Sequence, residues 1–437
     1  MDQGALLTIV AEWLEETRIP SLVPREHPGI DPETLQRVLA IVGPTRAGKT
    51  YFMYQLIASL LERGRWTRQD ILFVDFEDYR LGGFAGSDVD ELFAAFQQIA
   101  GRRPRFVFFD EVQHLPDWSR VLRTLHNRRQ FKIIASGSNS ELLYREVASE
   151  LRGRYEHLLI LPFSFGEYLR HRQISFTAAT LHTAARGTLA AAFDAYLRHG
   201  GFPEVLLAES DAERRKLLQN YFKTIFYKDI LERHGIKARY VLDALMSDLL
   251  ETYAERFSIS RFEKQLKGHG LPGSKRTISS YLHHLEEAFF VIVNEKFSYS
   301  ARQRVMNPKK VYLTDTGFAG LGRPFSENRG KLLENVVAIE LFRRGEDTYY
   351  FAGRHECDFI VQGDRRATRA IQVCWELTPR NEKRELAGLA ETHRSLGVEQ
   401  AMVLTYAQRD SRVLDGLDVV VRPVWEWLLR SETEAES

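Results

Sequence analysis

Residues 38–56 read VLAIVGPTRAGKTYFMYQL. An aliphatic, β-branched run predicts a strand, and the residues from Tyr51 onward have helical apolar spacing. Between them, Gly43, Pro44, Thr45, Arg46, Ala47, Gly48, Lys49 and Thr50 fit the pattern GxxxxGK[ST]. In that setting the glycines let backbone N–H groups wrap a chain of phosphates at a helix N-terminus. Lys49 would bring charge to the β and γ phosphates, and the Thr50 hydroxyl would ligate Mg²⁺. The expected nucleotide contacts therefore run from Gly43 to Tyr51.

Outward from this loop, short apolar runs alternate with helical patterns over residues 36–165, which predicts an α/β domain with a parallel sheet covered on both faces. Residues 105–111, RFVFFDE, form a buried-strand run closing in two acids. Asp110 is expected to hold Mg²⁺ through water, and Glu111 to act as general base on the attacking water. The alternative is a solvated strand end. Residues 131–143, FKIIASGSNSELL, bring Ser138 or Asn139 to the same sheet edge, as a γ-phosphate sensor or as a helix cap. In LRGRY, residues 151–155, Arg152 and Arg154 are candidates for an arginine finger inserted into a neighbouring subunit's site, against the plainer reading of two surface arginines.

The composition of the 437 residues is that of a folded, water-soluble chain: 44% hydrophobic, 27% charged, with a formal net charge of +1. So balanced a charge neither requires nor excludes nucleic acid. Two cysteines argue against a disulfide framework and for a reducing, cytoplasmic compartment. The N-terminal segment lacks a basic region before its apolar residues, and no run of about 18 apolar residues suggests a membrane span.

The order GPTRAGKT, ILFVDFED, FVFFDEVQ, IIASGSNS, LRGRY, LPFSFGEYL and HGGFPEV, followed by YLTDTGF and CDFIV, resembles a group of prokaryotic AAA-type ATPases. These carry a C-terminal domain of unknown function with a restriction-endonuclease-like core. The resemblance implies ATP as nucleotide, Mg²⁺-dependent ATPase activity, a homo-oligomeric ring such as a hexamer, and work on DNA. The element patterns along the chain divide it into a P-loop core with its N-terminal segment (1–183), a helical lid (184–238), a winged helix-turn-helix (239–322) and a nuclease-like α/β domain (323–437).

Within the lid, Leu217, Leu218, Tyr221, Ile225 and Ile230 recur at helical spacing as core residues, with Gly235 as a C-cap. In the third segment a helix, a glycine-bearing turn at Gly268 or Gly270 and a helix N-capped by Ser274 precede two strands. Lys275 and Arg276 on that helix, with Arg302, Arg304, Lys309 and Lys310 on the following hairpin, would meet DNA phosphates; a protein-interaction surface is the alternative. In the last segment Glu334 fills the helix acid and Asp358 the strand acid of a PD-(D/E)XK site. Gln372-Val373-Cys374 stands where acid-x-lysine is expected, so the site reads as catalytically degenerate. A zinc site at Cys357, Cys374 and His355 is weaker than plain burial of the thiols.

The leading expectation is an AAA-type ATPase that couples ATP hydrolysis to binding or remodelling of DNA, branched DNA among the substrates. A nucleotide-gated signalling or scaffold protein is the rival, and an ATP-regulated nuclease the third reading.

Overall fold

The computed structural model describes residues 3–16, 18–27, 29–138, 155–177, 185–322, 328–364 and 366–429. The chain forms two compact units, 1–161 and 162–437. Among the described residues no helix is long and apolar enough to cross a membrane.

The first unit is built on β1 (Val38–Val42), β2 (Ile71–Asp75), β3 (Phe106–Asp110), β4 (Lys132–Gly137) and β5 (Tyr155–Leu159), all parallel, in the order β2-β3-β4-β1-β5. Strands β1 and β3 are buried along their whole length, as the uninterrupted apolar runs require of a sheet covered on both faces. The helices are α1 (Gln3–Glu15), α2 (Lys49–Glu62), α3 (Val89–Ala100) and α4 (Trp118–Asn127). On α2 the buried residues Phe52, Met53, Leu56, Ile57 and Leu60 form a single stripe. This order brings the carboxyl ends of β1, β4 and β3 side by side.

Helix α1 belongs to the same core. It buries Leu6, Ile9, Val10 and Trp13, and the Trp13 indole donates to the Ile71 carbonyl at 2.6 Å while its ring stacks on Phe73.

The second unit opens with α5 (Phe165–His171), α6 (Ala185–His199), α7 (Pro203–Leu207) and α8 (Asp211–Thr224), the last continuing through Ile225–Glu232 in π geometry. Leu218, Tyr221, Ile225 and Ile230 are buried, as their spacing predicts, and Gly235 takes a left-handed φ of 56° just beyond the helix end. Next come α9 (Arg239–Thr252), β6 (Glu255–Phe257), α10 (Ile259–Gly268), α11 (Lys275–Glu287), β7 (Val291–Lys296), α12 (Ala301–Met306) and β8 (Lys309–Leu313). Ser274 caps α11, its Oγ accepting from the Thr277 N–H at 3.1 Å. Strand β8 pairs antiparallel with both β6 and β7. The chain closes with α13 (Arg329–Arg343), β9 (Asp347–Ala352), β10 (Glu356–Gly363), β11 (Arg366–Val373), α14 (Glu382–Leu396), β12 (Gln400–Thr405), β13 (Asp410–Leu414), β14 (Leu417–Pro423) and α15 (Val424–Leu429). Strand β7 also pairs parallel with β9, giving one nine-stranded sheet in the order β13-β14-β12-β11-β10-β9-β7-β8-β6.

Two of the sequence marks used to recognise the family, HGGFPEV and YLTDTGF, meet in this unit. The buried Asp315 carboxylate accepts from the Gly201 N–H at 2.7 Å and from the Gly317 N–H at 2.8 Å. Burial pushes its pKa up to about 6 against those two donors. Gly200 has φ 76°, and a Cβ there would lie 1.8 Å from the Asp315 Oδ1. These residues lock two segments of backbone together. Both cysteines are free thiols inside an apolar cluster with Leu386, Leu389 and Val403, the packed state expected of them. Gly200→Ala is expected to destabilise the second unit by roughly 2–4 kcal/mol, since it adds both a clash and a strained backbone. Gly268→Ala, in open space at a helix end, should cost nothing; thermal denaturation of both variants checks the contrast.

Candidate functional site

Strand β1 delivers the chain into the P-loop at Gly43, whose φ is 153° and where a Cβ would sit 1.9 Å from the Ile160 carbonyl oxygen. Only glycine fits between the loop and the end of β5. Arg46 and Gly48 take left-handed φ values of 69° and 97°, which turns residues 44–48 around the first turn of α2. The first N–H groups of that helix have no intrahelical acceptor and face the loop, the arrangement that binds anions. Tyr51 is 53% exposed on the next step of the helix.

Five of the predicted side chains converge at this edge. Lys49 is only 3% exposed; its Nζ donates to Ser138 Oγ at 2.9 Å, lies 3.1 Å from Glu111 Oε1 and 3.3 Å from the Pro44 carbonyl. Thr50 Oγ1 donates to Asp110 Oδ2 at 2.6 Å. Ser138 donates to the Glu111 carboxylate at 2.7 Å. Burial pushes Asp110 up to about 6, against the hydroxyls of Ser136 and Thr50. Glu111 is also raised by burial, but Lys49 and the bonds from Gln113 and Ser138 outweigh that and leave it lowered. Two adjacent carboxyls are thus shifted in opposite directions, Asp110 upward by burial and Glu111 downward by Lys49 and its hydrogen-bond donors. Asn139, Arg152 and Arg154 lie outside the described residues.

Sequence reasoning missed four residues. Ser136, on β4, donates to Asp110 Oδ1 and accepts from the Glu111 N–H at 3.0 Å. Gln113 Nε2 holds Glu111 Oε2 at 2.5 Å. Asp75 lies beside Asp110 in register at the end of β2. Arg25 is buried, and its guanidinium donates to the carbonyls of Ala47 at 2.8 Å and Leu161 at 2.5 Å, clasping the P-loop from behind. The register of β3 with β4 makes Ser136 legible once the sheet is known; nothing local to Arg25 announces it. A cavity of about 380 Å³ lined by Arg37, Arg105, His126, Arg129 and Lys132 lies at the opposite edge of the sheet and contains none of these residues.

The basic residues expected to meet phosphates separate into two groups. Lys275, Arg276 and Arg302 are exposed. Lys309 is held by Glu295 at 2.5 Å and by the Arg304 carbonyl, and Arg304 itself donates to the Ser298 carbonyl and lies 3.7 Å from Glu295. Lys310 corrects the expectation outright: it is 3% exposed, and its Nζ lies 2.8 Å from each of Glu334 Oε1, Glu356 Oε1 and Asp358 Oδ1. Successive side chains on a strand point to opposite faces, so of the adjacent Lys309 and Lys310 on β8 one must turn inward, and Lys310 does.

That cluster lies where the nuclease-like acids were expected. Asn335 docks α13 on β8 by bonding both the N–H and the carbonyl of Leu313, which sets the adjacent Glu334 against Lys310. Tyr312 donates to Glu334 at 2.7 Å, and the Val373 N–H donates to Asp358 at 2.9 Å. Burial and the nearby Asp358 push Glu334 up to about 7. Gln372 bonds the Asp358 N–H and Glu385, while Cys374 packs into the apolar cluster. A lysine therefore reaches the carboxylates, but from β8 and not from position 374.

A family model described as an AAA domain matches residues 35–169, and one described as a domain of unknown function matches 190–326. An uncharacterized protein of Methanocaldococcus jannaschii, MJ1544, is 30% identical over 90% of this chain and 88% of its own length. An uncharacterized protein of Haemophilus influenzae is 25% identical over 90% of this chain and 94% of its own. A Walker-type ATPase of Pyrococcus abyssi is similar at 16% identity with a TM-score of 0.40, covering 73% of this chain and 95% of that one. The Aeropyrum pernix ORC1 protein, in a structure with DNA, is similar at 16% identity with a TM-score of 0.30, covering 78% and 92%.

The site's charges predict a pH dependence. Asp110's ordinary value of 3.8 lies below its folded value of about 6, so its stabilising contribution is full below the former and lost as pH rises through the latter. In nucleotide-free, metal-free protein, Asp110→Asn should gain on the order of 3 kcal/mol relative to wild type between pH 4 and pH 7. Paired thermal melts across that range measure it. With its P-loop and its paired acids at the end of β3, the chain carries an AAA-type ATPase domain over residues 35–169, and by its likeness to the archaeal protein over nine-tenths of its length it belongs to the same family as MJ1544.

Proposed function

We propose that the chain hydrolyses ATP at the P-loop edge and couples the cycle to DNA through its second unit. The observation that carries the first half is the joint placement of Lys49, Thr50, Asp110, Glu111 and Ser138 within hydrogen-bonding reach of one another. The Thr50 hydroxyl and the Asp110 carboxylate form the oxygen donor set that suits Mg²⁺, which would neutralise phosphate charge when bound. Lys49 would exchange Glu111 and Ser138 for phosphate oxygens. Glu111, released, takes a proton from the attacking water as its oxygen bonds the γ-phosphorus and the bond to ADP breaks. Gln113 and the Ser136-bonded backbone hold Glu111 in place for that transfer. An arginine from a neighbouring copy in a ring, Arg152 or Arg154, would complete the site.

For DNA, the supporting feature is the order α9-β6-α10-α11-β7-α12-β8, which resembles a winged helix-turn-helix with a short helix set between the last two strands, with Lys275 and Arg276 exposed in the first turn of α11. Phosphate contacts of this kind read shape and salt more than sequence. Steady-state ATP hydrolysis with single-stranded, duplex and four-way-junction DNA tests both halves. Lys49→Ala and Glu111→Gln should each lower turnover by about 100-fold or more. Stimulation by one DNA form that disappears in Lys275→Glu/Arg276→Glu supports the coupling. Turnover indifferent to DNA, with nucleotide-dependent assembly, would favour a protein switch.

A second reading is supported by Lys310. Glu334 and Asp358 would hold Mg²⁺, and Lys310 would orient a water for phosphodiester cleavage, the part that Cys374 cannot play. It predicts Mg²⁺-dependent cutting that Asp358→Ala and Lys310→Ala both abolish. Intact DNA with wild type would leave Lys310 as a structural counter-ion.

A further inference from the structure

A cluster of two imidazoles and a carboxylate in the second unit lies apart from the acids around Lys310. His234 occupies the turn after the π segment, and His284 and Glu287 lie in the last turn of α11. Ligand atoms of the three all lie within 4.8 Å of one another. Two of the separations converge on a single oxygen: Glu287 Oε2 is 3.1 Å from His284 Nδ1 and 3.9 Å from His234 Nε2. The rings of His234 and His284 stack at 3.7 Å, an unfavourable arrangement for two imidazolium ions.

Two further features suit a cation here. The π segment and α11 both end at this place, and helix C-termini carry partial negative charge. Two of the remaining polar atoms of the cluster are already held: His284 Nε2 by Ser280 Oγ at 3.1 Å, and Glu287 Oε1 by His283 Nε2 at 3.0 Å. Metal-bound imidazoles and carboxylates are oriented by partners of this kind.

We propose that His234, His284 and Glu287 form a binding site for Zn²⁺, with a water or an external group completing four-coordination. The donor set of two nitrogens and one oxygen is one that Zn²⁺ takes readily, whereas Mg²⁺ and Ca²⁺ prefer oxygen alone. Tetrahedral coordination needs ligand atoms about 3.4 Å apart, so the side chains close by roughly 1 Å on binding. The ion would pin the turn at Gly235 to the end of α11, joining the helices before β6 to the helix that carries Lys275 and Arg276.

Equilibrium dialysis of the EDTA-treated full chain against ZnCl₂, with Co²⁺ absorption as a second readout, tests the site. The expected result is one tightly held Zn²⁺ per chain, a rise in melting temperature of several degrees and a Co²⁺ spectrum of nitrogen and oxygen ligands. His284→Ala and Glu287→Gln should weaken binding by at least about 100-fold, while Cys374→Ser should bind as wild type. His234→Gln, in a turn, keeps the test decisive if either helix variant fails to fold. No retained zinc in wild type, or equal retention in His234→Gln and Glu287→Gln, would overturn the proposal.

Discussion

A buried lysine must be neutralised where it stands, and Lys49 organises the first unit around that requirement. With 3% of its surface exposed, its ammonium depends on Ser138, Glu111 and the Pro44 carbonyl. Glu111 occupies a left-handed backbone conformation, φ 48°, that a non-glycine residue adopts only under constraint. Without phosphate, base and cation neutralise each other. A nucleotide that draws Lys49 away therefore both gains a counter-charge and uncovers the acid that acts on water, so binding and readiness for chemistry are one event.

The second unit solves the same problem with Lys310, but there three carboxylates share one ammonium. Burial, with the surplus negative charge of Asp358 added to it, is what raises Glu334. A lysine with one carboxylate partner can be released by a competing phosphate; one enclosed by three is far harder to move. The two clusters thus differ in how readily they can change state, although their chemistry is alike.

Much of this was legible in the sequence because it was local. The P-loop, the FVFFDE strand and the small polar residues after IIAS are each carried on one uninterrupted segment whose period names its geometry. Glu334 and Asp358 likewise lie on a helix and on a strand, as the apolar patterns of their own segments suggest. What the sequence concealed was long-range partnership. Lys310 read as a surface cation because the hairpin's alternation does not show which face another strand will cover, and β8 is enclosed by elements that follow it in the chain. Arg25 bonds groups at least 22 residues away and Ser136 groups at least 25 residues away, and no periodicity encodes such pairings.

The clasp made by Arg25 changes where this ATPase module begins. The matched AAA domain starts at residue 35, yet the carbonyls of Ala47 and Leu161 are satisfied by a guanidinium ten residues earlier, and β2 is tied to Trp13. A fragment cut at the matched boundary would leave two buried acceptors without a donor and an apolar groove without its helix. The N-terminal segment is part of the folding unit, and a homologue lacking it would need another cation to close the back of its phosphate loop.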